Sequence, residues 1–159
     1  MFFKSFITSL VIAASTFVAP AAEAFTYGEQ RLLDQVAEAG VTVEVTECPP
    51  DLGAYGLFLP KFNTIVICTD VATTKEQQWQ TFRHEAVHAA QFCIDPSMQT
   101  TVYSPNWVIE NTSKQDAWVI TNNYEREDWL IEGEAFTMMR WSNDQIARIV
   151  DNACNVVIQ

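Results

Sequence analysis

The stretch His84-Glu85-Ala86-Val87-His88 constrains this chain more than any other, because it holds the chain's 2 histidines and sets them four positions apart. On an α-helix, residues i and i+4 lie one above the other on the same face, so both imidazoles can be aimed at a single point. That arrangement suits a zinc ion, which accepts neutral imidazole nitrogen and in catalytic sites takes three protein ligands, leaving a fourth position for water. Glu85 follows the first histidine and therefore sits roughly 100° round the helix. From there it reaches a water at the metal but is badly placed to be a ligand, which makes it the natural general base.

The window is helical on independent grounds. Thr73-x-x-Glu76 reads as a capping box, and Trp79, Phe82, Ala86, Ala89, Ala90 and Cys93 recur at helical spacing as a buried stripe. The histidines fall on a different face, together with Gln77, Thr81 and Gln91. Every variable position of the run from Thr81 to Ala90 is uncharged except Arg83, as a helix buried at an active site requires.

That run, T-F-R-H-E-A-V-H-A-A, resembles the active helix of the zincin metallopeptidases. The resemblance implies a zincin-like α+β fold, in which a small antiparallel sheet is followed by the H-E-x-x-H helix and then by a glutamate-bearing helix. It also implies a Zn2+ cofactor and a peptide or protein substrate, cleaved by zinc-bound water that Glu85 activates. One sheet edge would pair with the extended substrate by strand addition.

With no third histidine, the last ligand must be a carboxylate. A second long helix is read from Tyr124 to Trp141, with acidic residues crowding its first turns where the helix dipole favours them. It offers Glu132 and Glu134, which point about 200° apart, so one metal can take only one of them. In the gluzincin branch, thermolysin-like enzymes among them, a small residue follows the ligand glutamate at i+3. Glu132-x-x-Ala135 has that spacing, so the resemblance favours His84, His88 and Glu132 as the metal ligands, with Glu134 the alternative. At i+4 that branch carries an aspartate that bonds an active-helix histidine, whereas this chain has Phe136. The group that orients the imidazole must come from elsewhere, such as Glu134 or a backbone carbonyl. Tyr124 and Tyr103 are the candidates for an oxyanion donor beside the metal.

The rest of the chain bounds the setting. Residues 1–24 read as a signal peptide: Lys4, an apolar run from about Phe6 to Val18, Pro20, and the cleavage pattern Ala22-Glu23-Ala24. Residues 25–159 then form a single domain, secreted or periplasmic, with no membrane association after cleavage and a monomeric state expected. An uncleaved anchor is the competing reading of the leader. The net charge of −11 is unchanged by cleavage, since Lys4 and Glu23 leave together, and it disfavours nucleic acid as a partner.

Four cysteines in an exported domain point to two disulfides. Three pairings are possible. Cys48 with Cys68, which end neighbouring strand-like runs, and Cys93 with Cys154 is the preferred one.

Further elements are a helix from Tyr27 to Ala39 stopped by Gly40, a strand over Val41–Thr46, and a hairpin of 55–59 and 63–68 closed by Pro60-Lys61-Phe62. A helix lies somewhere within Trp107–Asn123, and a last one is capped by Ser142-x-x-Gln145. The alternative function is an exported zinc-binding or interaction protein without turnover. Glu85 argues against it, because a purely structural site needs no base.

Overall fold

The structure, a computed structural model, describes residues 25–155. The leader read at 1–24 lies outside them. Helix α1, Tyr27–Glu38, opens on a capping box between Thr26 and Glu29 and ends where Gly40 adopts φ 77°, a left-handed conformation that glycine enters without steric cost. Its buried residues Leu32 and Val36 lie at the expected helical interval.

Three short strands follow: β1, Thr42–Thr46; β2, Gly56–Leu59; and β3, Thr64–Cys68. Strands β2 and β3 form the expected hairpin, closed by a tight turn at Pro60–Phe62, with Asn63 in the left-handed region at φ 49°. Strand β1 pairs with the far side of β3 and runs parallel to it, so the sheet is mixed and its order is β1-β3-β2. Central β3, Thr-Ile-Val-Ile-Cys, is buried along its whole length, as a continuous β-branched run should be. Both β1 and β2 are edges.

Helix α2, Lys75–Ile94, carries the histidines. Its capping box is Thr74 with Gln77, one residue later than the expected Thr73 with Glu76. The Glu76 carboxylate instead accepts from Gln80 at 2.9 Å. From Thr81 to Gln91 nearly every residue of α2 is buried, because it packs on β2 and β3 and also on two later helices.

The region expected to hold one helix within 107–123 holds two, α3 at Pro105–Asn111 and α4 at Lys114–Asn123. Thr112 breaks the run with ψ 124°, and Ser113 caps the second helix. The long helix expected over 124–141 is also shorter. Tyr124 is extended, Arg126–Asp128 forms a single tight turn, and α5 spans Trp129–Met138. Helix α6, Asn143–Cys154, starts from the expected Ser142–Gln145 box and buries Ile146, Ala147, Ile149 and Val150.

Both expected disulfides are present. Cys48–Cys68 ties the chain after β1 to the end of β3, and Cys93–Cys154 joins the last turn of α2 to that of α6. One core runs between sheet and helices, with Leu32, Ile65, Val87, Met138 and Ile146 fully buried in it. No helix among the described residues is long and apolar enough to cross a membrane. A small sheet, then the H-E-x-x-H helix, then a glutamate-bearing helix is the zincin-like α+β arrangement.

Candidate metal centre

Close packing of α5 places the centre. Gly133 has so little room that a β-carbon there would stand 3.1 Å from both Val108 and Thr112 of the preceding segment. On the same helix Ala135 is fully buried in the core shared with α2. Small residues on both sides thus let α5 settle between α3 and α2, and Glu132 is carried against the histidines.

His84 Nε2 and His88 Nε2 face each other at 3.1 Å. Glu132 Oε2 lies 3.4 Å from the first of these nitrogens, and Glu132 Oε1 lies 3.5 Å from the second. Ligands bonded at about 2.0–2.1 Å to a tetrahedral zinc stand about 3.3–3.4 Å apart, and the three residues approach one another on that scale, with a different Glu132 oxygen facing each imidazole. Glu132 Oε2 is buried and has no hydrogen-bond partner. A lone acceptor of that kind is costly unless a cation occupies the space before it. His84, His88 and Glu132 therefore form a cluster whose donors fit a zinc ion.

The electrostatics agree. Burial works against the charge of Glu132, but contact with His84 and His88 outweighs it and holds its carboxyl at about 2. For His88, burial favours the neutral ring, while Glu132 and the Glu85 charge prevail and raise it to about 9.

Glu85 is buried beside the cluster. Burial pushes its carboxyl pKa up, against the pull of His84 and His88 and a hydrogen bond from the Phe58 backbone N–H of β2. Strand β2 runs along α2 here: the Phe58 and Phe92 rings meet edge to face at 5.7 Å. At Gly56 a β-carbon would come within 2.6 Å of both Thr81 and the Val66 carbonyl. The edge strand beside Glu85 is therefore β2, which the sequence did not distinguish from β1.

Phe136 packs its ring edge to face on His84 at 4.9 Å. Tyr124 in turn lies against Phe136, with its hydroxyl set towards Glu132 as a donor. Burial, then the negative charges of Glu132 and Glu85, push that hydroxyl's pKa up. Tyr103, the other tyrosine considered, is directed elsewhere and stacks on Trp107 at 4.6 Å.

Glu134 points away from the cluster and is completely buried. It accepts from Gln91 Nε2 at 2.9 Å and from the backbone N–H groups of Val102 and Tyr103 at 2.8 and 2.7 Å. Gln91 in turn meets His88 Nδ1 at 2.7 Å. The imidazole's orienting group is thus Gln91, with Glu134 behind it. Sequence reading placed Gln91 on the histidine face without giving it a role, although its position three residues after His88 puts it next to that ring.

The chain belongs to the family described as a domain of unknown function, DUF8637, whose model matches residues 6–155. No curated protein and no solved structure matches it.

Proposed function

We propose that this protein is a zinc-dependent hydrolase of peptide bonds, with His84, His88 and Glu132 holding the ion and Glu85 acting as general base. The observation that carries this reading is the convergence of two imidazole nitrogens and one carboxylate at 3.1, 3.4 and 3.5 Å, with a buried carboxylate oxygen left unpartnered. Bound there, zinc would supply the acidification of a water and the polarisation of a scissile carbonyl.

The remaining work falls to the chain's own groups. Glu85 accepts a proton as water oxygen bonds to the carbonyl carbon, then delivers it to the departing amine nitrogen as the C–N bond breaks. Burial makes its carboxylate more basic than a solvated one, which suits that task. The hydroxyl of Tyr124, near both Glu132 and Glu85, donates to the carbonyl oxygen as it becomes negative. Edge strand β2, bonded to Glu85 through Phe58, is the place for an extended substrate to add by backbone pairing. Export, with loss of residues 1–24, belongs to the same proposal and is supported by the two disulfides, which persist in oxidising compartments.

The test pairs metal content with turnover. Purified protein should carry about one equivalent of zinc, and Glu85→Gln should keep it while hydrolysis of a mixed peptide library falls by several orders of magnitude. A fully active Glu85→Gln sinks the mechanism. Zinc in a wild-type protein that cleaves no peptide favours the reading without turnover.

A further inference from the structure

Gln91 is completely buried and every polar contact it makes is directional. Its Nε2 faces two groups that only accept, the Glu134 carboxylate at 2.9 Å and the Ile131 carbonyl at 3.1 Å. The amide nitrogen must therefore lie on that side, which turns the amide oxygen to His88 Nδ1 at 2.7 Å. An amide oxygen cannot donate, so Nδ1 carries a proton. In a neutral imidazole the other nitrogen then holds the lone pair, and that nitrogen, Nε2, is the one facing His84 and Glu132.

Glu134 makes this arrangement unambiguous. A neutral acceptor opposite Gln91 would hold the amide weakly, whereas a carboxylate forms the stronger, charge-assisted bond. Val102 N–H holds the same carboxylate oxygen that Gln91 uses and Tyr103 N–H holds the other, so the carboxylate cannot turn away from Gln91. Burying an anion is expensive, and here the anion's near contact leads through a single amide to a ring of the metal cluster.

We propose that Gln91 and Glu134 are positioning residues that lock His88 in the tautomer protonated at Nδ1, so that Nε2 always presents a lone pair to the metal. The proposal rests on reading His88 as a metal ligand, but the tautomer can be measured without metal. Gln91→Met keeps length and bulk while removing the amide, and Glu134→Gln keeps shape while removing the anionic anchor. Two readouts apply to both variants and to wild type: zinc affinity by chelator competition at neutral pH, and the protonated ring nitrogen of His88 by long-range 1H–15N correlation. The second is recorded on zinc-free protein at a pH well above about 9, where the His88 ring is neutral.

Wild type should show His88 protonated at Nδ1. Gln91→Met should show a mixture of tautomers and a zinc affinity lower by about 10- to 100-fold. Glu134→Gln should move both readouts in the same direction, because its own amide can turn and release Gln91. Thermal unfolding identifies any variant that fails to fold, in which case the other carries the test. A folded variant with an unchanged tautomer and zinc affinity within about threefold of wild type overturns the proposal. Wild type that binds no zinc, together with a tautomer change in the variants, overturns the metal reading and leaves the lock standing.

Discussion

Glu132 and Glu134 stand two residues apart on α5, and their carboxylates leave the helix about 200° apart, one towards the histidines and the other into the interior. The first keeps a buried oxygen without a hydrogen bond, and its neighbours are imidazoles that hold its carboxyl at about 2. The second has three N–H donors on its two oxygens, yet burial still pushes its pKa up. Burial alone does not separate a carboxylate open to a cation from a structural anion. What separates them is whether the surrounding groups complete the carboxylate or leave a place in front of it. Gly133 between them makes the division possible, since its close contact with Val108 and Thr112 fixes how α5 is rotated.

Removing each carboxylate in turn is the most direct way to break that comparison. Glu132→Ala should lower zinc affinity roughly a thousandfold, about a third of the 10–16 kcal/mol typical of a zinc site. Glu134→Ala should retain more of it, losing only the orientation of His88. Calorimetric titration with zinc gives the order, and a Glu134→Ala protein that binds more weakly than Glu132→Ala reverses the assignment of the two glutamates.

For folding, the ranking should invert. Glu134→Ala removes one of the two acceptors of the Gln91 amide and the acceptor of two part-buried backbone N–H groups, at about 1–3 kcal/mol for each donor left unsatisfied, so a total of roughly 2–4 kcal/mol is expected. Urea unfolding of zinc-free protein should find Glu132→Ala the more stable of the two variants. Equal midpoints would remove the structural half of the distinction.

Much of this was readable in the residues, and what was not has physical reasons. His84, Glu85 and His88 are adjacent in sequence, so helical geometry alone places them. The disulfides followed from where strand and helix ends fall. Ala135, the small residue by which the resemblance favours Glu132 over Glu134, is fully buried on α5. Glu134 is among the groups the sequence offers for orienting an imidazole, but its contact through Gln91 is hidden there because it joins residues 43 positions apart. Likewise, the parallel pairing of β1 with β3 is a long-range choice that the alternation within β1 leaves open. The overlong helix at 124–141 arose because acidic residues suit a helix start as well as the turn that precedes it. Thr112 broke the earlier helix by bonding back to Val108 and across to Gly133, a tertiary contact no local pattern records.

Asp116 extends the comparison to a third buried carboxylate, this one completed by a cation. Burial works against its charge, but Arg140 at 2.6 Å and Ser113 at 2.7 Å prevail and hold its carboxyl below the usual range. A carboxyl depressed in the folded protein adds stability that is fully present above its unfolded value of about 3.9 and is lost as pH falls through the folded value. Because half of the Arg140 side chain remains in solvent, the contribution is small, about 1 kcal/mol. Between about pH 5 and pH 2 the melting temperature of wild type should therefore fall more steeply than that of Asp116→Asn, whose side chain does not titrate. Parallel curves would mean that Arg140 contributes nothing through charge, and that Asp116, like Glu134, is held by its hydrogen bonds alone.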